Sequence, residues 1–246
     1  MKKAARLSKW YLIRQINKLI NLFEEKTYSS KKKKALLIKN AKKIYQCQWA
    51  SPELVERIVN HKMDASSDPR WKDFGFSSKK EYGYWSWRIC AIASLKMALN
   101  FFYPKNNTKI SEIVNFCLSF NGYNVTNDKG WYHSSLIKYL ESRNLKTNFL
   151  KFLSLRKLKT LLENRTLVLA SISETPKVMN PLEDGHIIVI CGLEFKKNKA
   201  FIHYLDSGDP ILPMSGKTSV MPWDEFIGKR YLFRAITVSN ERKPQK

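Results

Sequence analysis

Negative charge is scarce in this chain. Its 246 residues hold 21 Asp and Glu against 44 Lys and Arg, a formal net charge of +23. Long apolar runs are missing too: nothing approaches the roughly 18 apolar residues of a bilayer-spanning helix. The opening stretch MKKAARLSKWYLIRQINKLINLF is basic but has no uninterrupted apolar core and no small-residue cleavage site, so it does not read as a secretory signal. Cysteine is limited to Cys47, Cys90, Cys117 and Cys191, none in paired spacing. Without an export signal, these are expected to be free thiols in a reducing cytoplasm. Neither CxxC nor HxxxH occurs, so no structural zinc is expected, and nothing calls for an organic cofactor.

The positive charge is uneven. Residues 1–46 hold 14 Lys and Arg against Glu24 and Glu25, giving 14 − 2 = +12, over half of the excess in less than a fifth of the chain. Such a segment attracts anionic partners, whether nucleic acid, acidic lipid or acidic protein. Ala5, Leu12, Ile16, Leu19, Ile20 and Phe23 fall on one helical face, with Arg6, Lys9, Arg14 and Lys18 mostly elsewhere. This amphipathic helix either packs on the domain that follows, the reading we favour, or lies on a membrane surface. Lys31–Lys34 reads as a solvated loop and Ala35–Ile44 as a second helix. Residues 1–44 are thus expected to be a basic helical extension and residues 45–246 the compact domain. The expected location is the cytoplasm, with peripheral contact at the inner membrane surface open to the extension.

Within the domain, Ser51-Pro52-Glu53 has the chemistry of a helix start, with Ser51 as N-cap and Pro52 at the first turn. Residues 64–80 read as a turn-rich loop carrying Trp71 and Phe74. Helices are expected over Lys109–Phe120, from Trp131 to about Arg143, over Ser154–Asn164 and over Trp223–Ile227. Strands are expected at Thr147–Phe152, Thr166–Ile172, Gly185–Glu194, Ala200–Asp206 and Tyr231–Val238, with a long loop from Ser207 to Met221. Helices first and an antiparallel sheet afterwards make an α+β fold.

The chain is organised around EYGYWSWRICAIASLKMALNFF, residues 81–102. An aromatic cluster (Tyr82, Tyr84, Trp85, Trp87) precedes Cys90, and the run after it is free of Gly and Pro, so a helix starts near Cys90. The small residues Ala91, Ala93, Ser94 and Ala98 let other backbone approach that helix closely. A thiol at a helix N-terminus faces unpaired N–H groups and the positive end of the dipole, which favour thiolate. A nucleophile also needs a base and a group to orient it. His186 opens the strand GHIIVICGL, with Gly185 before it keeping its approach open, and Asp206 ends the partner strand, 206 − 186 = 20 positions later. In a hairpin the start of one strand lies beside the end of the next, so imidazole and carboxylate can meet. Asp209 is a less well placed alternative. His61 reads as a surface or helix-end residue, His133 could line the cleft but reads more readily as a surface residue, and alternation puts His203 on the face opposite Asp206.

The aromatic run with Cys90-Ala-Ile-Ala-Ser-Leu-Lys-Met, then Gly130-Trp131-Tyr132-His133, Gly185-His186 through Gly192, and Tyr204-Leu205-Asp206-Ser207 resembles the papain-like cysteine peptidases of the bacteriocin-leader-processing type, in their broad C-39-like branch. Asp68-Pro69-Arg70-Trp71 and Gly75-Phe76 through Glu81-Tyr82 resemble it as well. The resemblance covers roughly residues 45–240. It implies a papain-like fold with Cys90 as nucleophile, His186 as general base and acid, and Asp206 as orienter, acting on a peptide or protein substrate without metal or cofactor. Two positions depart from the family pattern: Ala91 stands where a glycine is usual, and no Gln lies between Phe74 and Cys90 to complete the oxyanion hole, the nearest being Gln48. Tyr84, Trp87, Arg88 and Trp131 are the candidates for the oxyanion hole and cleft. Related amidase or acyltransferase chemistry, and a catalytically silent peptide-binding module, are the alternatives.

Overall fold

The computed structural model describes residues 12–240, apart from residues 14, 17, 18, 22, 25–34, 39, 127, 129, 174–184 and 198. The lysine run Lys31–Lys34 and the first eleven residues of the basic extension therefore lie outside the described residues.

The fold is α+β, as the element order implies. A seven-stranded antiparallel sheet runs β2 (Lys146–Leu150), β7 (Tyr231–Ser239), β3 (Leu167–Ile172), β4 (His186–Lys196), β5 (Lys199–Asp206) and β6 (Ser219–Pro222), and β1 (Leu36–Leu37) pairs with the far half of β4. The central strand β4 explains its own composition. Ile187, Val189 and Cys191 pack into one apolar cluster with the helix Cys90–Phe102, while Ile188 and Ile190 pack into a second with Leu155, Leu158, Trp223 and Phe226. A strand covered on both faces has no solvent side to alternate with, so it reads as a continuous apolar run.

The helix Cys90–Phe102 is the mirror case. Residues Ala91 to Leu99 are all buried, including Ser94 and Lys96. A helix apolar on every side belongs inside the molecule. Its small residues serve close approach: Ser94 Oγ donates to the backbone oxygen of Ile187 at 3.0 Å, tying the helix to β4 one residue beyond His186.

Several local elements differ from the sequence-based expectation. Ala35–Ile44 is not one helix: Leu36 and Leu37 pair with Leu193 and Gly192, Asn40 turns the chain with φ 63°, and only Ala41–Ile44 is helical. The strand edge at β4 captures the apolar pair before the helix can extend back through it. Ser51 caps nothing, because its hydroxyl and its N–H both donate to Asp68, and the segment after it is a tight 3₁₀ turn, Pro52–Leu54, running into Val55–Val59. The loop from Ser207 to Met221 contains a short helix, Ile211–Met214, and most of β6. The aromatic cluster before Cys90 is itself helical, over Lys79–Ser86 with Ser78 as N-cap.

The described residues between Leu12 and Glu24 are helical and dock on the domain. Asn21, buried, accepts hydrogen bonds through Oδ1 from Leu155 N–H and Trp223 Nε1, and Glu24 accepts from Arg156 N–H. With Ser154 Oγ accepting from Lys157 N–H, the first three amides of the helix Leu155–Glu163 are satisfied, two of them by the extension.

Candidate active site

The hairpin of β4 and β5 sets the geometry. Asp206 lies opposite Ile188 across the ladder, and His186 is two residues from Ile188, hence on the same face. His186 Nε2 lies 2.6 Å from Asp206 Oδ1. The same carboxylate oxygen accepts from Gly208 N–H at 2.8 Å, so the turn after Asp206 holds the acceptor in place. That turn is clamped from outside: Ser207 O accepts from Gln48 N–H at 3.0 Å and from the Tyr45 hydroxyl at 3.3 Å, and Ser207 Oγ donates to Gln48 Oε1 at 3.2 Å. Asp209 donates its N–H to Asp206 O and caps the next helix by accepting from Ile211 N–H, so it is a turn residue rather than a partner of the imidazole.

Cys90 is the first residue of its helix and is partly exposed, whereas Cys47, Cys117 and Cys191 are buried. The side chains of Cys90 and Asp206 both bond to His186. Burial alone would depress the imidazole, but the electrostatic pull of neighbouring Cys90 and Asp206 and its hydrogen bonds to both outweigh it, so His186 is held well above 6.5. Asp206 answers in the opposite sense: burial pushes it up, while His186 and Gly208 N–H pull harder, and it ends below the usual carboxylate range. With Nε2 taken by Asp206, Nδ1 is the nitrogen left for the thiol.

The chain just before Cys90 is aromatic. Trp87, about half exposed, stacks on His61 with ring centroids 5.8 Å apart and takes Trp49 edge-on at 5.5 Å. His61 and Trp49 carried no signal in the sequence, because the contact joins segments brought together only by the fold. Of the four cleft candidates, Arg88 spends its guanidinium on Asp128 and on Tyr84 O, and Trp131 donates its indole N–H to Arg88 O at 2.7 Å. Both rigidify the loop before Cys90 instead of pointing donors outward. Tyr84 and Trp87 present exposed rings. A Cβ at Gly185 would meet only Leu232 Cδ1 at 3.9 Å, so space does not require the glycine before His186.

The other histidines go elsewhere. His133 is hydrogen-bonded to Ser171 Oγ at 2.9 Å and packs on Phe149; burial and the nearby Arg234 push it down to about 4, so it stays neutral, and it is not the surface residue expected. His203 bonds Thr218 and Glu194, away from the His186 face as alternation requires.

The upstream Asp68 is fully buried and holds the frame together. Its two oxygens accept from Ser51 N–H and Oγ, Arg70 N–H and the Tyr82 hydroxyl, at 2.6 to 3.0 Å, and Tyr82 in turn accepts from Ala50 N–H at 2.9 Å. This ties the segment carrying Gln48 and Trp49 to the helix that leads into Cys90.

The chain is similar to a solved peptidase domain. This is the peptidase domain of Streptococcus ComA, a bi-functional ABC transporter involved in a quorum sensing pathway; the match covers 63% of this chain and 93% of that one, with 16% identity and a TM-score of 0.41. No protein-family model and no curated protein matches the chain. Among the described residues, no cluster of three or more His, Cys, Asp or Glu could hold a metal ion, and no helix is long and apolar enough to cross a membrane.

Proposed function

We propose that this protein is a cysteine peptidase of papain-like fold, its catalytic domain spanning residues 45–246, in which Cys90, His186 and Asp206 form the triad. The observation that carries the reading is the buried imidazole of His186, bonded on one side to Asp206 at 2.6 Å and on the other to the thiol that opens the central helix. Cys90 Sγ attacks the substrate carbonyl carbon, and its proton resides on His186. The tetrahedral oxyanion faces the unpaired N–H groups of the helix start, Cys90 N–H first among them. Collapse breaks the C–N bond, His186 protonates the leaving amine, and a thioester remains on Cys90. His186 then takes a proton from water, which attacks the thioester and releases the acid and the free thiolate. Asp206 keeps the ring in one tautomer throughout.

The test is alkylation of the native protein by iodoacetamide near neutral pH, followed by a peptide-library screen. Rapid modification of Cys90 that slows strongly in His186→Ala supports the pair, and a cleaved library peptide with a trapped Cys90 thioester establishes the reaction. Equal alkylation in both proteins overturns it. Transfer of the acyl group to an added amine in preference to water would mark an amidase or acyltransferase using the same thioester.

A second reading is a silent peptide-binding module. What favours it is that the side-chain donors of Arg88 and Trp131 are taken by Asp128, Tyr84 O and Arg88 O, with no Gln between Phe74 and Cys90 to replace them. Losing one oxyanion donor costs on the order of 10²–10³ in rate. Peptide binding without turnover in a protein whose Cys90 alkylates normally would select this reading.

A further inference from the structure

The N-terminal helical segment docks the wrong way round for a helix whose purpose is to complete the core. Its buried contacts run along one edge: Ile13 packs into the apolar cluster beneath β4, Asn21 is buried against Leu155 and Trp223, and Glu24 meets Arg156. Its apolar stripe faces out. Leu12, Ile16, Leu19, Ile20 and Phe23, spaced i, i+4, i+7, i+8 and i+11, are 48–77% exposed. The helix thus docks with a polar residue, Asn21, as its buried anchor and leaves this stripe outward.

We propose that this stripe is a docking surface for an anionic lipid bilayer. Single exposed apolar residues need no explanation, but a continuous row of five large ones on one docked helix does. Charge selects the occupant. The stripe lies in the segment whose residues 1–46 carry +12, and the whole chain carries +23, so a second copy of the chain would meet strong like-charge repulsion. Nucleic acid would satisfy the lysines and arginines but has no use for an aliphatic row, since its contacts are ionic and stacking. An anionic bilayer takes both: apolar side chains enter the boundary between headgroups and acyl chains while basic side chains meet the phosphates. Docking through Asn21 and Glu24 already holds the described helix against the domain, so binding costs little ordering of it.

The experiment is co-sedimentation of the full chain with vesicles of phosphatidylcholine, with and without phosphatidylglycerol. We expect partitioning into the phosphatidylglycerol vesicles that weakens as salt is raised, and a loss of roughly tenfold or more in Leu12→Asp/Leu19→Asp with an unchanged melting temperature, because both side chains are largely exposed before binding. Ile20→Ser, a milder change on the same stripe, provides the same readout should the double variant fold poorly. The proposal is overturned if the wild-type protein ignores both vesicles, or if the variants partition as it does. It is equally overturned if the stripe variants convert a solution dimer to monomer, which would assign the stripe to a second copy. Binding of duplex DNA, unaltered in the variants and without vesicle binding, would assign the charge to nucleic acid instead.

Discussion

Asp206 sits opposite Ile188 in the β4–β5 ladder, and that register alone brings its Oδ1 to 2.6 Å from His186 Nε2. A slip of one residue would send the carboxylate to the other face of the sheet. We expect Asp206→Asn to lower the proposed peptidase activity by about 10²–10⁴-fold while leaving the fold intact. The His186 pKa should fall in the variant, since the carboxylate is among the groups holding it up. The sign for stability follows. His186 is raised above its unfolded value of 6.5, so its contribution is fully present below about pH 6.5 and fades as pH rises through the folded value. Asp206 is lowered, so its contribution is present above about pH 4 and is lost as pH falls further. Imidazole NMR titration of both proteins, with urea melts near pH 3, pH 6 and pH 9, checks both statements. An unchanged His186 titration would sink the pairing.

The four cysteines should separate cleanly by reactivity. Burial pushes Cys47 up to about 11 and Cys117 up to about 12, and Cys191 rises still further for the same reason. The thiolate is the reactive form, so these three are inert near neutral pH. Native protein treated with iodoacetamide should therefore gain one adduct, at Cys90, the partly exposed thiol. Intact-mass and peptide mass spectrometry decide it. Cys90→Ala should gain none, and adducts at Cys117 or Cys191 in the folded protein would contradict the burial.

Much of this arrangement was legible in the chain. The helix start at Cys90, the strand from His186 and its hairpin partner ending at Asp206 follow from local composition and from the geometry of a hairpin. What escaped was non-local. Ser51 looks like an N-cap because Ser-Pro-Glu fits one, yet buried Asp68, seventeen positions away (68 − 51 = 17), offers its hydroxyl a better acceptor. Leu36 and Leu37 read as helix because nothing in their own neighbourhood announces the open edge of β4. The direction of the N-terminal helix's apolar stripe was not legible either, because amphipathicity tells which residues share a face, not which way the face points. The contact of Trp49 and His61 with Trp87 had no sequence signature at all.

Asp68 is where the frame of the site can be tested without touching its chemistry. Burial pushes its carboxyl up, but donors from Ser51, Tyr82 and Arg70 outweigh that, and it lies below its ordinary 3.8. Asp68→Asn places an NH₂ group among donors, leaving at least one of them unsatisfied, at a cost of about 1–3 kcal/mol. The difference between the two proteins should be present above about pH 4 and shrink as pH falls through the folded value, because only the charged form gains from the four donors. Urea denaturation as a function of pH measures it. A pH-independent difference would mean that packing, not ionisation, is what the carboxylate supplies.

Gly192, at the end of the apolar strand, is needed for space. A Cβ there would lie 2.6 Å from Leu37 Cδ2, 2.9 Å from Leu36 O and 3.0 Å from His203 Cβ. Leu37 can rotate away, but the Leu36 carbonyl belongs to β1 and the His203 Cβ to β5, so one of the two ladders must open. Gly192→Ala should cost about 1–3 kcal/mol, in the range of overpacked cores. β1 is the weaker partner, only two residues long, and should yield first. The expected signature is faster amide exchange at Ile38, whose N–H donates to Cys191 O at 3.1 Å, with the His186 end of β4 unaffected. Gly228→Ala, where a Cβ meets nothing within 4 Å, should stay within about 0.5 kcal/mol of the wild-type protein and serves as the control. Equal stability of both variants would show that β1 does not close on the sheet at Gly192.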